Sequence, residues 1–153
     1  MVLSAVLPEQ VEQVGFYLRK IFRCLDRDLA FLLSQEGLTL PQMIVLRQVQ
    51  VQNDTTLAEL TEKLQWAAST LSGIIKRLER DGFLRRQPDP TDLRVYRLQI
   101  TDKAKVVLKK TCAAYSDHLA CILSHFSVED ITVLLSSLQT LWQAVQREQP
   151  RRN

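Results

Sequence analysis

His118, Cys121 and His125 fall at i, i+3 and i+7, so on one continuous helix all three side chains project from the same face. That spacing can set imidazole and thiolate ligands around zinc or copper. No second group of Cys or His completes four ligands within one chain, and the three sit beside Leu119 and Ile122. They are therefore expected to serve packing and polar contacts, with no metal or other cofactor bound. A Gly-rich phosphate loop, a GxSxG turn and an HExxH helix are all lacking, and neither histidine has a nucleophile context. The sequence does not read as an enzyme.

The second constellation is electrostatic. From Ser69 to Arg97 there are seven basic residues, Lys76, Arg77, Arg80, Arg85, Arg86, Arg94 and Arg97, against the acids Glu79, Asp81, Asp89 and Asp92. The excess of this stretch equals the +3 of the whole chain. A basic cluster confined to one small module is the footprint expected of a nucleic-acid binder. The 46% apolar and 24% charged composition is that of an ordinary globular chain, and four glycines favour long helices. No apolar run is long enough to span a membrane, and the N-terminus has no basic segment of the signal-peptide kind. A cytoplasmic location follows, in which Cys24, Cys112 and Cys121 stay reduced.

Periodicity supplies the elements that must carry these residues. Val11, Val14, Leu18, Ile21, Leu25, Leu29 and Leu32 alternate spacings of three and four, which predicts a long helix from Pro8 to about Ser34, stopped at Gly37. A shorter helix follows, capped by Thr39, with Met43, Ile44, Leu46 and Val49 inward; Asn53 and Asp54 break it. Thr56 to Leu64 and a helix ending at Gly82 flank the break Gln65-Trp66-Ala67, which reads as helix-turn-helix. The period then changes to two. Phe83 to Arg86 and Arg94 to Ile100 form a hairpin around Pro88-Asp89-Pro90-Thr91-Asp92, in the position of a wing. Two further helices are expected, from Asp102 to about Phe126 and from a cap at Ser127 onward.

The fold class is thus mainly α with a small β-hairpin wing: a winged helix-turn-helix between long terminal helices. Residues 1–36 would form an N-terminal dimerisation helix, 37–101 the DNA-binding module, 102–148 the C-terminal dimerisation helices and 149–153 a frayed tail, all in one domain overall. So small a module cannot cover three long apolar seams. The economical solution is a homodimer, with Val14, Leu18, Leu25, Leu119, Ile122 and Leu138 in or beside the interface. On the second helix of the helix-turn-helix, Ser69, Thr70, Ser72, Gly73, Lys76 and Arg77 would face DNA, the hydroxyls reaching bases or phosphates. Arg85 and Arg86 are expected at phosphates, although one of them could instead pair with an acid across the hairpin.

The residues from Leu57 to Thr101 resemble the core of the MarR family of bacterial winged helix-turn-helix regulators. The likeness rests on Ser69-Thr70 before an apolar pair, Arg77-Leu78-Glu79 before Asp81-Gly82-Phe83-Leu84-Arg85-Arg86, Asp92-x-Arg94, and Leu98-x-Ile100-Thr101. Ala67 stands where the family usually has a capping Ser. The resemblance implies that Arg94 enters the minor groove, and Asp92 is expected to hold its guanidinium by a charge-assisted bond. It implies a homodimeric repressor on a pseudo-palindromic double-stranded DNA site, relieved by a small aromatic or phenolic effector. It also raises Cys24 as a redox candidate, against an inert packing role suggested by its apolar neighbours. The competing readings are a winged-helix protein-interaction module without DNA binding and a metal- or redox-responsive regulator.

Overall fold

The computed structural model describes residues 7–52, 54–92 and 94–148. The tail assigned to 149–153 and the helix breaker Asn53 lie outside them. Elements run α1 (Pro8–Gln35), α2 (Leu40–Gln52), β1 (Thr55–Thr56), α3 (Leu57–Leu64), α4 (Ala68–Arg80), β2 (Leu84–Pro88), β3 (Tyr96–Ile100), α5 (Asp102–Leu123) and α6 (Val128–Glu148). The mainly helical winged architecture matches the expectation from sequence. The chain divides into two compact units, one ending at Ala114 and the other beginning at Tyr115, inside α5.

Local chemistry accounts for most of these boundaries. α1 and α4 end in the same way. Gly37 at φ 70° and Gly82 at φ 75° take the left-handed conformation that glycine adopts without a Cβ penalty. The next amide then reaches back, Leu38 to the Leu33 carbonyl at 3.0 Å and Phe83 to the Leu78 carbonyl at 2.8 Å. All four of those side chains are buried, so each stop is also a core contact. α3 starts on a reciprocal cap: Glu59 N–H donates to Thr56 Oγ1 at 3.2 Å, and Thr56 N–H donates to the Glu59 carboxylate at 2.8 Å. That bond, with others from Thr55 and Thr56, holds the Glu59 pKa below its ordinary value. Ser127 and Asp130 form the equivalent pair ahead of α6.

In the unit ending at Ala114, helices α2, α3 and α4 and the sheet close one core, in which Leu33, Val45, Leu46, Leu60, Leu71, Ile75, Leu78 and Leu98 are each at most 2% exposed. The sheet is antiparallel and ordered β1-β3-β2, with Thr55 opposite Leu98 and Leu84 opposite Ile100. The hairpin was expected; β1 was not. Two residues are too short to show alternation, and β1 exists only because β3 lends it a ladder. Thr101 fastens the returning strand to the end of α4: its N–H donates to the Phe83 carbonyl and its hydroxyl to the Gly82 carbonyl at 2.8 Å.

Beyond that core the helices are differently covered. Leu33 is the buried residue of α1, while Val11, Val14, Tyr17 and Ile21 are each more than half exposed. In the unit beginning at Tyr115, α6 has no buried residue, and Val133, Leu135 and Trp142 are more than half exposed. Among the described residues no single helix is long and apolar enough to cross a membrane.

Candidate nucleic-acid interface

α4 is amphipathic over thirteen residues. Leu71, Ile75 and Leu78 anchor it in the core. The opposite face is thereby turned outward, and Ser69, Thr70, Gly73, Lys76 and Arg77 are exposed on it, with Ser72 half-buried at its margin. A Cβ built on Gly73 would meet nothing within 4 Å, so the face is open at this position. α3 ends at Leu64 and is capped by Gln65, whose φ of 55° makes the tight break, and α4 begins at Ala68 with no side-chain cap from Ala67. The first amides of α4 are therefore left with no side-chain acceptor from the capping position, which suits an anionic partner there.

The wing stands beside this face. Between it and the helices lies a cavity of about 810 Å³, lined by Thr61, Ser72, Ile75, Arg86, Arg94 and Tyr96 among others. Arg94 is exposed at the wing loop. Among the described residues, Lys76 and Arg77 on α4 and Arg94 on the wing loop are exposed and make no ion pair. The other basic residues of the stretch are engaged. Arg80 pairs with Asp81 at 2.8 Å. Arg85 Nε donates to Gln99 across the hairpin at 3.0 Å.

Two local pairings differ from those the sequence suggests. Arg86, assigned to phosphate, pairs with Glu79 of α4 at 2.9 Å and joins wing to helix; the acid comes from the helix, not from across the hairpin. Asp92, assigned to the Arg94 guanidinium, instead accepts the Arg94 backbone N–H at 2.9 Å, and no ion pair joins the two. The carboxylate that does hold an arginine is Asp89. It is 4% exposed and accepts from Arg97 Nε at 2.6 Å, from the Thr91 hydroxyl, and from the Thr91 and Asp92 amides at 2.7 and 3.2 Å. These bonds, those from Thr91 first, hold its pKa far below the usual carboxylate range. Arg97 also donates to the Asp54 carbonyl at 3.0 Å. From sequence, Asp89 falls in the wing turn and Arg97 on the returning strand, each with no assigned partner. The available signal was Asp89 two residues before Thr91, the spacing of an Asx turn.

The remaining candidates lie apart from this surface in sequence. α5 ends at Leu123, so His125 falls in the turn after it and does not share a helix face with His118 and Cys121. The hydroxyl of Ser124 bonds the Cys121 carbonyl at the point where the helix breaks off. Among the described residues no group of three His, Cys, Asp or Glu side chains comes together as a metal site. Cys24 is exposed on α1, not packed within its unit. Of the dimer candidates, Val14 is 54%, Ile122 38% and Leu138 47% exposed, while Leu18, Leu25 and Leu119 are half-buried.

A model of the MarR family matches residues 38–96, the stretch that contains α2, the helix-turn-helix and most of the wing. The chain is 26% identical over 140 residues to the HTH-type transcriptional regulator YsmB of Bacillus subtilis, covering 92% of this chain and 96% of that protein. Among solved structures it resembles a MarR family protein from Bacillus stearothermophilus with a TM-score of 0.82 and 27% identity, over 93% and 99% of the two chains. It also resembles the transcriptional regulator Tm0710 from Thermotoga maritima with a TM-score of 0.70 and 31% identity, over 89% and 96%.

Proposed function

The chain belongs to the MarR family of transcription regulators, and we propose that it works as a cytoplasmic homodimeric repressor whose grip on double-stranded DNA is released by a small aromatic or phenolic effector. The observation that carries the DNA-facing part is the surface shared by α4 and the wing. Lys76 and Arg77 on α4 and Arg94 on the wing loop are exposed and make no ion pair, while Arg80, Arg86 and Arg97 are tied to carboxylates of the chain. α4 inserts into the major groove with Ser69, Thr70, Ser72 and Gly73 toward the bases. Arg94 follows the minor groove, where narrow A·T-rich geometry concentrates negative potential.

A dimer is supported by the apolar side chains that α1 and α6 leave uncovered. Twofold symmetry then presents two copies of α4 to major-groove faces about 34 Å apart, so the operator is a pseudo-palindrome. An effector that favours a different separation of the two α4 helices would lower affinity by shifting the population between two rigid-body states.

Fluorescence anisotropy with the chain's own upstream region tests this reading. Specific binding should appear, and Arg94→Ala should weaken it most on sites with A·T-rich flanks. Lys76→Ala should weaken all sequences alike and flatten the slope of log affinity against log salt by about one unit. Failure to distinguish this DNA from unrelated DNA would favour a protein-interaction module instead.

A further inference from the structure

We infer that Asp89 is the positioning residue of the wing, the group through which the loop carrying Arg94 is held in its DNA-reading shape. The inference rests on the DNA-binding role proposed for Arg94. Pro88 and Pro90 flank Asp89, and neither has an N–H to offer. The β2–β3 ladder ends at Pro88 opposite Tyr96, and in the loop beyond it the Asp89 side chain takes over. Its carboxylate gathers the Thr91 amide and hydroxyl and the Asp92 amide from the outgoing side of the loop. It takes Arg97 Nε from the returning strand. The Asp89 amide meanwhile donates to the Val95 carbonyl at 2.9 Å, and the Val95 amide to the Asp92 carbonyl at 2.9 Å. One buried carboxylate thus joins both arms of the loop that presents Arg94.

The same residue refers the loop to the body of the module. Arg97 reaches beyond Asp89 to the Asp54 carbonyl at 3.0 Å. Asp54 has a φ of 62° and its carboxylate accepts from Gln99. The chain of contacts runs from the wing loop through Asp89 and Arg97 to the turn before β1. Asp92, by contrast, fixes one amide of the loop and leaves the Arg94 side chain free of it.

The test compares wild type, Arg94→Ala, Asp89→Asn and the double variant on two operators that share a core and differ in A·T-rich or G·C-rich flanks. Asp89→Asn keeps the size of the side chain and removes the charge that holds Arg97. It should weaken binding about tenfold on the A·T-flanked site, the scale of one charge-assisted contact, and change the other little. In the Arg94→Ala background it should have no further effect. A residue that merely stabilises the fold would lower binding on both operators equally, and that result overturns the inference, as does full additivity with Arg94→Ala. Should Asp89→Asn not fold, Arg97→Lys, which keeps the charge but cannot reach Asp89 and Asp54 together, carries the same expectation and the same refutation. Wild type that binds neither operator would overturn the DNA reading and the inference together. Wild type that is weakened by Arg94→Ala but not by Asp89→Asn overturns the inference alone.

Discussion

Every buried apolar side chain among the described residues except Leu33 falls between Leu38 and Leu108. Along α6 the same residue types are uncovered: Val133 is 65%, Leu135 55% and Trp142 58% exposed. α1 repeats the pattern, with Val11, Val14, Tyr17 and Ile21 open and Leu33 buried at its end. The winged module therefore closes its core inside one chain, whereas the terminal helices carry apolar surface that one chain does not cover. Isolated helices of this length gain little from propensity alone and depend on packing of an apolar face. The contrast divides the molecule into a part that closes its own core and a part whose apolar faces the proposed second copy would cover.

The largest effect should come from charging the uncovered part. Ile122→Glu with Leu138→Glu would put two carboxylates into each half of the proposed twofold interface, a cost of several kcal/mol in desolvation alone. Sedimentation should show monomers or aggregates, and a dimer persisting at micromolar concentration would break the comparison. Next is the closed part. Leu60 and Leu71 are fully buried, and Leu60→Ala or Leu71→Ala should each cost about 3 kcal/mol in denaturant unfolding. Leu135→Ala, at a site 55% exposed on the chain, should cost much less in a monomeric background and more in the dimer.

Smaller still is the cap on α6. Ser127→Ala removes the acceptor for the Asp130 amide and should cost about 1 kcal/mol. Because α6 belongs to the uncovered part, that loss should show in dimer dissociation as well as in unfolding. A further effect is one of pH. Asp89 is held below its ordinary value of 3.8 in the folded chain, so its contribution is complete above that value and is lost as pH falls beneath it. The stability difference between wild type and Asp89→Asn should be flat near neutrality and shrink in acid, as read by urea unfolding across a pH series. A difference that widened in acid would contradict the bonding around Asp89.

Much of this was legible in the residues themselves because the forces concerned act over a few positions. Seams at three and four determine where α1, α5 and α6 run. Gly37 and Gly82 determine where α1 and α4 stop, and Ser127 where α6 starts. The basic stretch marks the DNA-facing module, since charge excess needs no fold to be counted. Contacts between distant positions were decided only in three dimensions. β1 is two residues long and has no signal apart from its partner β3. The sequence leaves open whether Arg85 or Arg86 pairs with an acid, and packing of the wing on α4 brings Glu79 of the helix to Arg86. His125 kept a helical spacing in the sequence while α5 itself ended at Leu123. Asp92 and Asp89 are both acids near Arg94, and counting cannot rank them. The buried closure of the loop ranks them, because only Asp89 lies where both strands and the Asp54 turn converge through Arg97.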